Sequence, residues 1–206
     1  MTQSIEQATG LIPPHGGTLV NGYVQGDEAL ALLEQAQSLP IVTLNPRQLS
    51  DAHMIVQGAF SPLQGFMGHA DYTSVVQDMH LANGLPWPLP VTLGVPSGQL
   101  SQLNEGTLVA LADSGGEIVG VLSLEETFRR DVEDEALKVY RTPEMEHPGV
   151  ANLHQDGDAL LGGRITLLHA APALEEGTAP HYRTPSETRD AISQRRWRTV
   201  VGFQTR

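Results

Sequence analysis

The stretch that decides the fold reads TLVALADSGGEIVGVLSL and covers residues 107–124. Two apolar runs of strand length, Thr107–Ala112 and Glu117–Leu124, flank the residues Asp113–Gly116, which tolerate a positive φ. This pattern predicts a β-hairpin. The surrounding sequence from about Leu89 to Glu125 keeps the apolar period of strands, so we expect a sheet at the centre of the molecule.

Helices are predicted on the amino-terminal side of this hairpin. Asp27 is expected to cap a helix that ends before Pro40, and residues 46–57 are expected to form a second helix. Asp71 is expected to cap a third helix, whose apolar residues have helical spacing: Tyr72, Val75, Val76 and Met79. Further short strands are predicted at Ile41–Leu44, Val91–Val95 and Arg164–His169. This mixture predicts an α+β domain over residues 1–175, built around a small sheet or barrel.

A second, shorter unit is predicted after residues 170–180, an acidic stretch with two prolines that is typical of a linker. Thr184-Pro185-Ser186-Glu187 has the pattern of a capping box with proline at the first helical position, and it predicts a helix to about Arg196. Thr199–Phe203 is apolar enough for a strand covered on both faces. A helix followed by a buried strand is typical of a parallel α/β domain, so residues 176–206 are predicted to begin one.

Composition excludes several classes of protein. The chain has 206 residues, 40% of them hydrophobic, and no cysteine, which excludes a disulfide framework and a thiolate metal site. No apolar run has the length of a membrane span, and Met1 is followed by polar residues rather than by the pattern of a signal peptide. We therefore expect a cytoplasmic protein without a membrane partner.

Charge is unevenly distributed along the chain, whose formal net charge is −12. Residues 182–206 hold six of the twelve basic groups and have a local balance of +4, so residues 1–181 carry −16. An acidic body of this kind repels nucleic acid, and we expect no nucleic-acid partner. The basic groups within residues 182–206 indicate either an anion site or solvated arginines on a helix face.

The eight histidines do not predict a metal site. They are scattered, and they form no His-x-His, His-Glu-x-x-His or compact group with carboxylates. Pro14-His15-Gly16-Gly17 is rich in glycine, but no Gly-Lys-Ser or Gly-Lys-Thr follows it. A tight turn is therefore favoured there over a phosphate-binding loop.

Several stretches resemble the ATP sulfurylase (sulfate adenylyltransferase) family. They occur in order along nearly the whole chain and comprise Pro14–Val20, Ala59–Met67, Trp87–Leu93, His147–Val150, Tyr182–Arg189 and Trp197–Arg206. The resemblance implies a PUA-like β-barrel with added helices, followed by the start of a catalytic α/β nucleotide-binding domain. In that family Gln-Thr-Arg continues into Asn-Pro-x-His, so we expect a catalytic domain that is incomplete at Arg206.

The resemblance also implies a reaction and the residues that serve it. Family members join sulfate to the α-phosphate of ATP, giving adenosine 5′-phosphosulfate and pyrophosphate. Gln204 and Arg206 correspond to sulfate ligands, and Thr205 and Arg206 correspond to residues that contact the nucleotide phosphates. The resemblance implies ATP as a substrate, with Mg²⁺ in the complete enzyme. The implied partners are the remaining catalytic domain and further copies of the chain in a homo-oligomer.

Two other interpretations stay open from the residues alone. PUA-like barrels elsewhere recognise RNA, so the chain could be a binding or interaction module without catalysis, although the charge of −16 on residues 1–181 opposes RNA binding. From the residues alone, a polar turn at the end of a strand is favoured for residues 204–206 over an anion site. Even as a sulfate adenylyltransferase, the chain alone is expected to be inactive, because the family's nucleotide-binding elements lie beyond Arg206.

Overall fold

The computed structural model describes residues 11–168 and 179–203, and within these ranges the strands form one seven-stranded sheet. The strands are β1 (Tyr23–Val24), β2 (Ile41–Thr43), β3 (Gly65–Phe66), β4 (Leu93–Val95), β5 (Leu108–Ala112), β6 (Ile118–Arg129) and β7 (Ala159–Leu168). They lie in the order β2-β5-β6-β7, and the far edge of β7 pairs with β1, β3 and β4. The predicted α+β class is confirmed.

The hairpin predicted at residues 107–124 is confirmed as β5 and β6, which pair antiparallel. Asp113 holds the turn, because its Oδ1 accepts hydrogen bonds from the backbone N–H groups of Gly115 and Glu117, each at 2.9 Å. β6 is longer than the prediction and runs to Arg129, since its last residues pair with the first half of β7.

The sheet depends on β7 more than on any other strand. One edge of β7 pairs antiparallel with β6, while β4, β3 and β1 follow one another along the other edge. β3 approaches so closely that a Cβ atom on Gly65 would lie 1.8 Å from the carbonyl oxygen of Gly163. Gly163 has φ +153°, and a Cβ atom there would lie 2.0 Å from the carbonyl oxygen of Ser123. Both positions therefore require glycine.

Helices pack on this sheet and connect its strands. The described residues form α1 (Gly26–Ala36), α2 (Pro46–Val56), α3 (His69–Asp78), α4 (Val132–Glu135) with a π-helical turn at Ala136–Tyr140, α5 (Pro148–Gln155) and α6 (Pro185–Gln194). The helix predicted at residues 46–57 is confirmed as α2, and Asn45 and Gln48 form its capping box. Within the described ranges, none of the helices combines the length and the apolar character that crossing a membrane requires.

The caps predicted for the first and third helices are wrong. α1 begins after Gln25 and α3 begins after Gly68, so Asp27 and Asp71 lie inside the first helical turns. An acidic residue in the first turn stabilises the positive end of the helix dipole, and in a sequence this signal resembles that of a cap. Asp71 has a further partner, since its Oδ1 accepts a hydrogen bond of 2.8 Å from the N–H of Ala82.

The main core lies where α2 and α3 pack against the sheet. Most of its largest fully buried apolar side chains come from the strands: Leu44, Ile55, Leu93, Leu111, Leu122, Leu124, Leu160, Leu161, Ile165 and Leu167. Each such side chain stabilises the fold by about 1.5–3 kcal/mol relative to an exposed position. A smaller cluster of Ala36, Ala110 and Val121 joins α1 to β5 and β6. Within the described ranges, the core therefore belongs to residues 11–168.

The carboxy-terminal unit is formed only in part. Its helix is confirmed as α6, with Thr184 as the N-cap residue. The strand predicted at Thr199–Phe203 is wrong, because these residues have no strand partner among those described and are exposed. A strand forms only where a neighbour takes its backbone hydrogen bonds. The division into domains 1–175 and 176–206 stays a prediction, since residues 169–178 lie outside the described ranges.

Candidate functional site

The residues predicted to bind substrate, Gln204, Thr205 and Arg206, lie outside the described ranges. The structure does describe residues 179–203, which lead up to them, and the attachment of that segment to the sheet domain. The segment begins with a short 3₁₀ turn at Ala179–His181 and continues into α6. Its geometry therefore bears on how a site at residues 204–206 would be positioned.

The start of α6 is fixed by its own sequence. Thr184 Oγ1 accepts a hydrogen bond of 3.3 Å from the N–H of Glu187, and Glu187 Oε2 accepts one of 2.8 Å from the N–H of Thr184. Pro185 occupies the first helical position, where no N–H is needed. The hydrogen bonds from Thr184 lower the pKa of the Glu187 carboxyl, which stays ionised at the positive end of the helix.

Two side-chain hydrogen bonds attach this segment to the sheet domain. The Tyr182 hydroxyl donates to Oε1 of Gln57, the C-cap residue of α2, at 2.5 Å. Arg189 Nη2 donates to the carbonyl oxygen of Ile12 at 2.6 Å. Because the first bond precedes α6 and the second lies within it, the two together restrict both the position and the rotation of the helix. We call the contact between α2 and residues 182–189 the seam.

A second tyrosine, Tyr23 of β1, contacts α2 one helical turn before Gln57. Tyr23 Oη and His53 Nδ1 are 2.8 Å apart, and His53 precedes Gln57 by four residues on the same helix face. Burial, and to a lesser extent Tyr182, raises the pKa of Tyr23 to about 12, and burial lowers the pKa of His53. Both rings are therefore neutral near pH 7, and this contact adds no charge beside the seam.

A cavity of about 560 Å³ opens along the seam. The amino-terminal turn, α2 and the loop after α2 line one side, and residues 182–189 line the other. His15, Arg183 and Arg189 contribute its basic groups, with the Tyr182 hydroxyl beside them. The sequence patterns do not predict this cavity, because its walls come from segments more than 100 residues apart along the chain. The excess of arginine after residue 182 is the one sequence signal that points toward it.

Beyond α6 the chain turns into solvent. Arg196 has φ +54° and ends the helix in the left-handed conformation, and the N–H of Trp197 donates to the carbonyl oxygen of Ile192 at 3.2 Å. The Arg195 guanidinium lies 4.8 Å from the centre of the Trp197 ring, a cation–π contact. Val200, Val201 and Phe203 then present apolar side chains to solvent. The segment that leads to the predicted substrate ligands is thus uncovered.

Replacing Tyr182 with phenylalanine is expected to loosen α6 without unfolding the sheet domain. The change removes one side-chain hydrogen bond, a loss of about 0.5–1.5 kcal/mol, so the amides of α6 should exchange with solvent roughly 2- to 12-fold faster. Amides of β6 and β7 should keep their rates. Arg195→Gln, outside the seam, is the matched control. Unchanged exchange throughout α6 in the Tyr182 variant would contradict an anchoring role for this hydroxyl.

We expect the amides of Val200 and Val201 to exchange with solvent at nearly the unprotected rate. Both residues are exposed, at 53% and 67%, and neither has a backbone hydrogen-bond partner within the part of the chain that the structure describes. An opening free energy near zero follows. Hydrogen exchange on a dilute sample verified to be monomeric is the measurement. Strong protection of these two amides would mean that the segment already has a sheet partner.

A buried ion pair lies inside the sheet domain, between the residues that follow β6 and the end of α4. The side chains of Arg130 and Glu135 are 0% and 2% exposed, and Nη1 of Arg130 lies 3.6 Å from Oε2 of Glu135. The Tyr72 hydroxyl donates to the same oxygen at 2.7 Å. Burial raises the pKa of the Glu135 carboxyl, against the opposing effect of Arg130. Among the described residues the Arg130 nitrogens have no hydrogen-bond acceptor, so the guanidinium depends on this carboxyl for compensation of its charge.

Arg47 forms a second set of polar contacts, between α2 and the end of α5. Its guanidinium contacts the carboxylates of Asp156 and Asp51, the latter at 2.7 Å. Asn45 Nδ2 donates to Asp156 Oδ1 at 2.9 Å. The two contacts with Asp156 join segments more than 100 residues apart, so they stabilise the sheet domain.

Within residues 11–168 and 179–203, no group of three or more histidine, aspartate or glutamate side chains is placed to hold a metal ion. The most buried carboxylates, Glu135 and Asp156, are instead engaged by arginines. The described donor set therefore does not fit a Mg²⁺ site.

The sheet domain matches a known protein family. Residues 12–170, which include the whole sheet and α1 to α5, match the family model described as a PUA-like domain. The chain belongs to the PUA-like domain family. α6 and the second wall of the seam lie beyond the matched PUA-like domain.

Curated proteins with similar sequences extend beyond the PUA-like domain. A sulfate adenylyltransferase from Synechococcus sp. (strain JA-3-3Ab) is 47% identical over 196 residues, which are 95% of this chain and 49% of that protein. A probable bifunctional SAT/APS kinase 2 from Sorangium cellulosum (strain So ce56) is 44% identical over 199 residues, 97% of this chain and 34% of that protein. The chain thus spans about half the length of the first relative and about a third of the second. The resemblance to the sulfate adenylyltransferase family is confirmed.

A solved structure has a similar fold. The hexameric APS kinase from Thiobacillus denitrificans matches with a TM-score of 0.67 and 28% identity, over 91% of this chain and 32% of that chain. The arrangement described above therefore recurs as one part of a larger protein.

Proposed function

We propose that this chain forms the amino-terminal half of a sulfate adenylyltransferase, in which the PUA-like domain supports the first catalytic residues. The observation that carries the proposal is 47% identity over 95% of the chain to a protein of that name. The proposal concerns the complete enzyme, because the matched relative is about twice as long as the matched region.

In the proposed reaction, an oxygen of sulfate attacks the α-phosphorus of ATP. A new oxygen–phosphorus bond forms, the bond from the α-phosphorus to the bridging oxygen breaks, and pyrophosphate leaves with that electron pair. The two reactants are both anions, so the protein must hold them together and neutralise their charge. No covalent enzyme intermediate is needed.

Gln204, Thr205 and Arg206 are the residues to which the proposal assigns this task. A guanidinium presents a planar fork of donors that suits a tetrahedral oxyanion, and the glutamine amide adds a neutral donor. Thr205 and Arg206 would contact the nucleotide phosphates. The described residues position this segment. Tyr182, just before α6, bonds Gln57, and Arg189 within α6 bonds Ile12, and residue 204 follows the end of α6 by only ten positions.

The finer parts of the proposal follow from the same relatives. ATP is a substrate of the proposed reaction, and Mg²⁺ would neutralise its phosphates. The described donor set does not fit that ion, so no step here passes through it. Because the similar APS kinase is described as hexameric, the proposal includes a homo-oligomer. A cytoplasmic location suits an enzyme that consumes ATP. The acidic PUA-like domain is not proposed to bind nucleic acid, because its charge opposes the phosphate backbone.

The chain by itself is expected to give no sulfate-dependent release of pyrophosphate from ATP. The relatives that carry the activity in their names are about two and about three times as long, and residues 200–203 are exposed in this chain. A coupled pyrophosphate assay on the purified chain is the measurement. The control is the same chain joined to the second half of the Synechococcus relative, which should turn over. Turnover by the chain alone would mean that its own residues complete the site.

A further inference from the structure

The cavity along the seam is basic within an acidic molecule. Two cationic side chains, Arg183 and Arg189, line it together with the His15 imidazole, whereas the chain as a whole has a formal charge of −12 with histidine counted as neutral. No aspartate or glutamate is among the described residues that line the cavity. A concentration of positive groups without carboxylates raises the local concentration of anions.

Each of the two arginines is oriented by a hydrogen bond and has further N–H donors that could bind a ligand. Arg189 uses Nη2 to bond the carbonyl oxygen of Ile12 at 2.6 Å, and Arg183 uses Nη1 to bond that of Tyr182 at 2.8 Å. A guanidinium carries five N–H donors in a planar fork, so each side chain is oriented by these bonds and still has donors for a ligand. Oriented guanidinium groups favour tetrahedral oxyanions, which accept two parallel hydrogen bonds.

α6 contains two acidic residues: Asp190, which does not line the cavity, and Glu187, which is engaged elsewhere. Its Oε2 accepts hydrogen bonds from the N–H and the hydroxyl of Thr184, at 2.8 and 3.1 Å. The carboxylate therefore caps its own helix. It forms no close ion pair with Arg183 or Arg189 among the described residues, although the charge of Arg183 contributes to lowering its pKa. The residue does not line the cavity.

The rest of the cavity lining suits the organic group of a small ligand. Leu19, Met54 and Pro185 give apolar surface, and the Thr188 side chain adds a polar group. A volume of about 560 Å³ is typical of pockets for small molecules, and it exceeds what a lone inorganic anion needs. The Tyr182 hydroxyl, which donates to Gln57, forms part of the wall between the two sides.

We propose that the seam cavity binds a small phosphate or sulfate monoester, with the charged head between Arg183 and Arg189 and the organic group against the apolar wall. This goes beyond the proposed function, because it uses residues other than Gln204, Thr205 and Arg206. A ligand there would contact both α2 and α6, so it would also stiffen the attachment of α6 to the PUA-like domain.

The test is a titration of the ¹⁵N-labelled full chain with phenyl phosphate and, separately, with phenyl sulfate, followed by NMR. Saturable shifts are expected for the amides of Gln57 and Thr188, with phenol as the uncharged control ligand. Arg183→Gln and Arg189→Gln should each weaken binding by about 10-fold or more, since each loses a charge-assisted contact. Arg195→Gln, which removes a cation from α6 outside the cavity, should leave binding unchanged.

Several outcomes would overturn the proposal. These are the absence of saturable shifts with both esters, binding of phenol as tight as that of the esters, or equal losses in the Arg183 and Arg195 variants. A preference for one ester supports the site and identifies its head group. Arg189→Gln also removes the bond to Ile12 and could misfold. In that case the binding measured for Arg183→Gln tests the proposal. Arg206→Ala should not affect this titration, so the site and the proposed enzymatic function can fail independently.

Discussion

In the chain extended by the second half of a relative, Arg206→Ala is expected to remove most of the sulfate-activating turnover. The lost guanidinium would have neutralised charge on two reacting anions, so the transition state should lose about 2–4 kcal/mol of stabilisation. That corresponds to a fall of roughly 30- to 900-fold in kcat/KM for sulfate. A coupled assay for pyrophosphate, run at several sulfate concentrations, measures it.

Two further variants make this result specific. Arg198→Ala removes a cation from the same basic segment and should retain activity within about threefold, since an exposed charge contributes little. Arg206→Lys keeps the charge but loses the planar fork, and it should fall between the parent and the alanine variant. If Arg206→Ala stays within about threefold of the parent, the role assigned to Arg206 is wrong.

Glu135→Leu is expected to lower the free energy of unfolding by about 3–5 kcal/mol, because it leaves the Arg130 guanidinium buried without a compensating charge. The Arg130 side chain is fully buried, and the structure gives its nitrogens no hydrogen-bond acceptor among the described residues. The Tyr72 hydroxyl loses its acceptor as well. Urea unfolding followed by circular dichroism gives the midpoint and the slope from which this difference is obtained.

The informative control removes the whole polar set at once. In the triple variant Tyr72→Phe, Arg130→Met, Glu135→Leu no buried charge or hydroxyl is left without a partner. Apolar replacements of similar volume are often neutral or stabilising, so most of the lost stability should return. A triple variant as unstable as Glu135→Leu alone would indicate that packing at residue 135, and not the unpaired charge, causes the effect.

The elements that the sequence predicts correctly are those whose signal is local. The hairpin turn depends on Asp113 and on glycines within four positions, and the bonds of Asp113 Oδ1 lie inside that turn. The start of α6 depends on Thr184 and Glu187, which bond each other. Because signal and contact involve the same few residues, no distant part of the chain has to be known.

The failures are contacts between distant segments. Thr199–Phe203 has the composition of a strand, but a strand also needs a neighbour, and composition does not supply one. Arg130 and Glu135 lie in a highly charged stretch that favours solvent exposure, yet both are buried, and Glu135 is bonded by Tyr72 of α3. The seam cavity likewise combines residues near both ends of the chain. For the candidate site, the resemblance supplies Gln204, Thr205 and Arg206, which stay predictions.

The dependence of the sheet on β7 has a consequence for synthesis of the chain. β1, β3 and β4 are all made before β7, yet each takes its ladder partner from residues 159–168. Until those residues leave the ribosome, apolar runs such as Leu93–Val95 have no native neighbour and are available to other nascent chains. The long loops that must close before these strands pair also slow the folding step. Polypeptides released before residue 159 should therefore be the species most prone to aggregate.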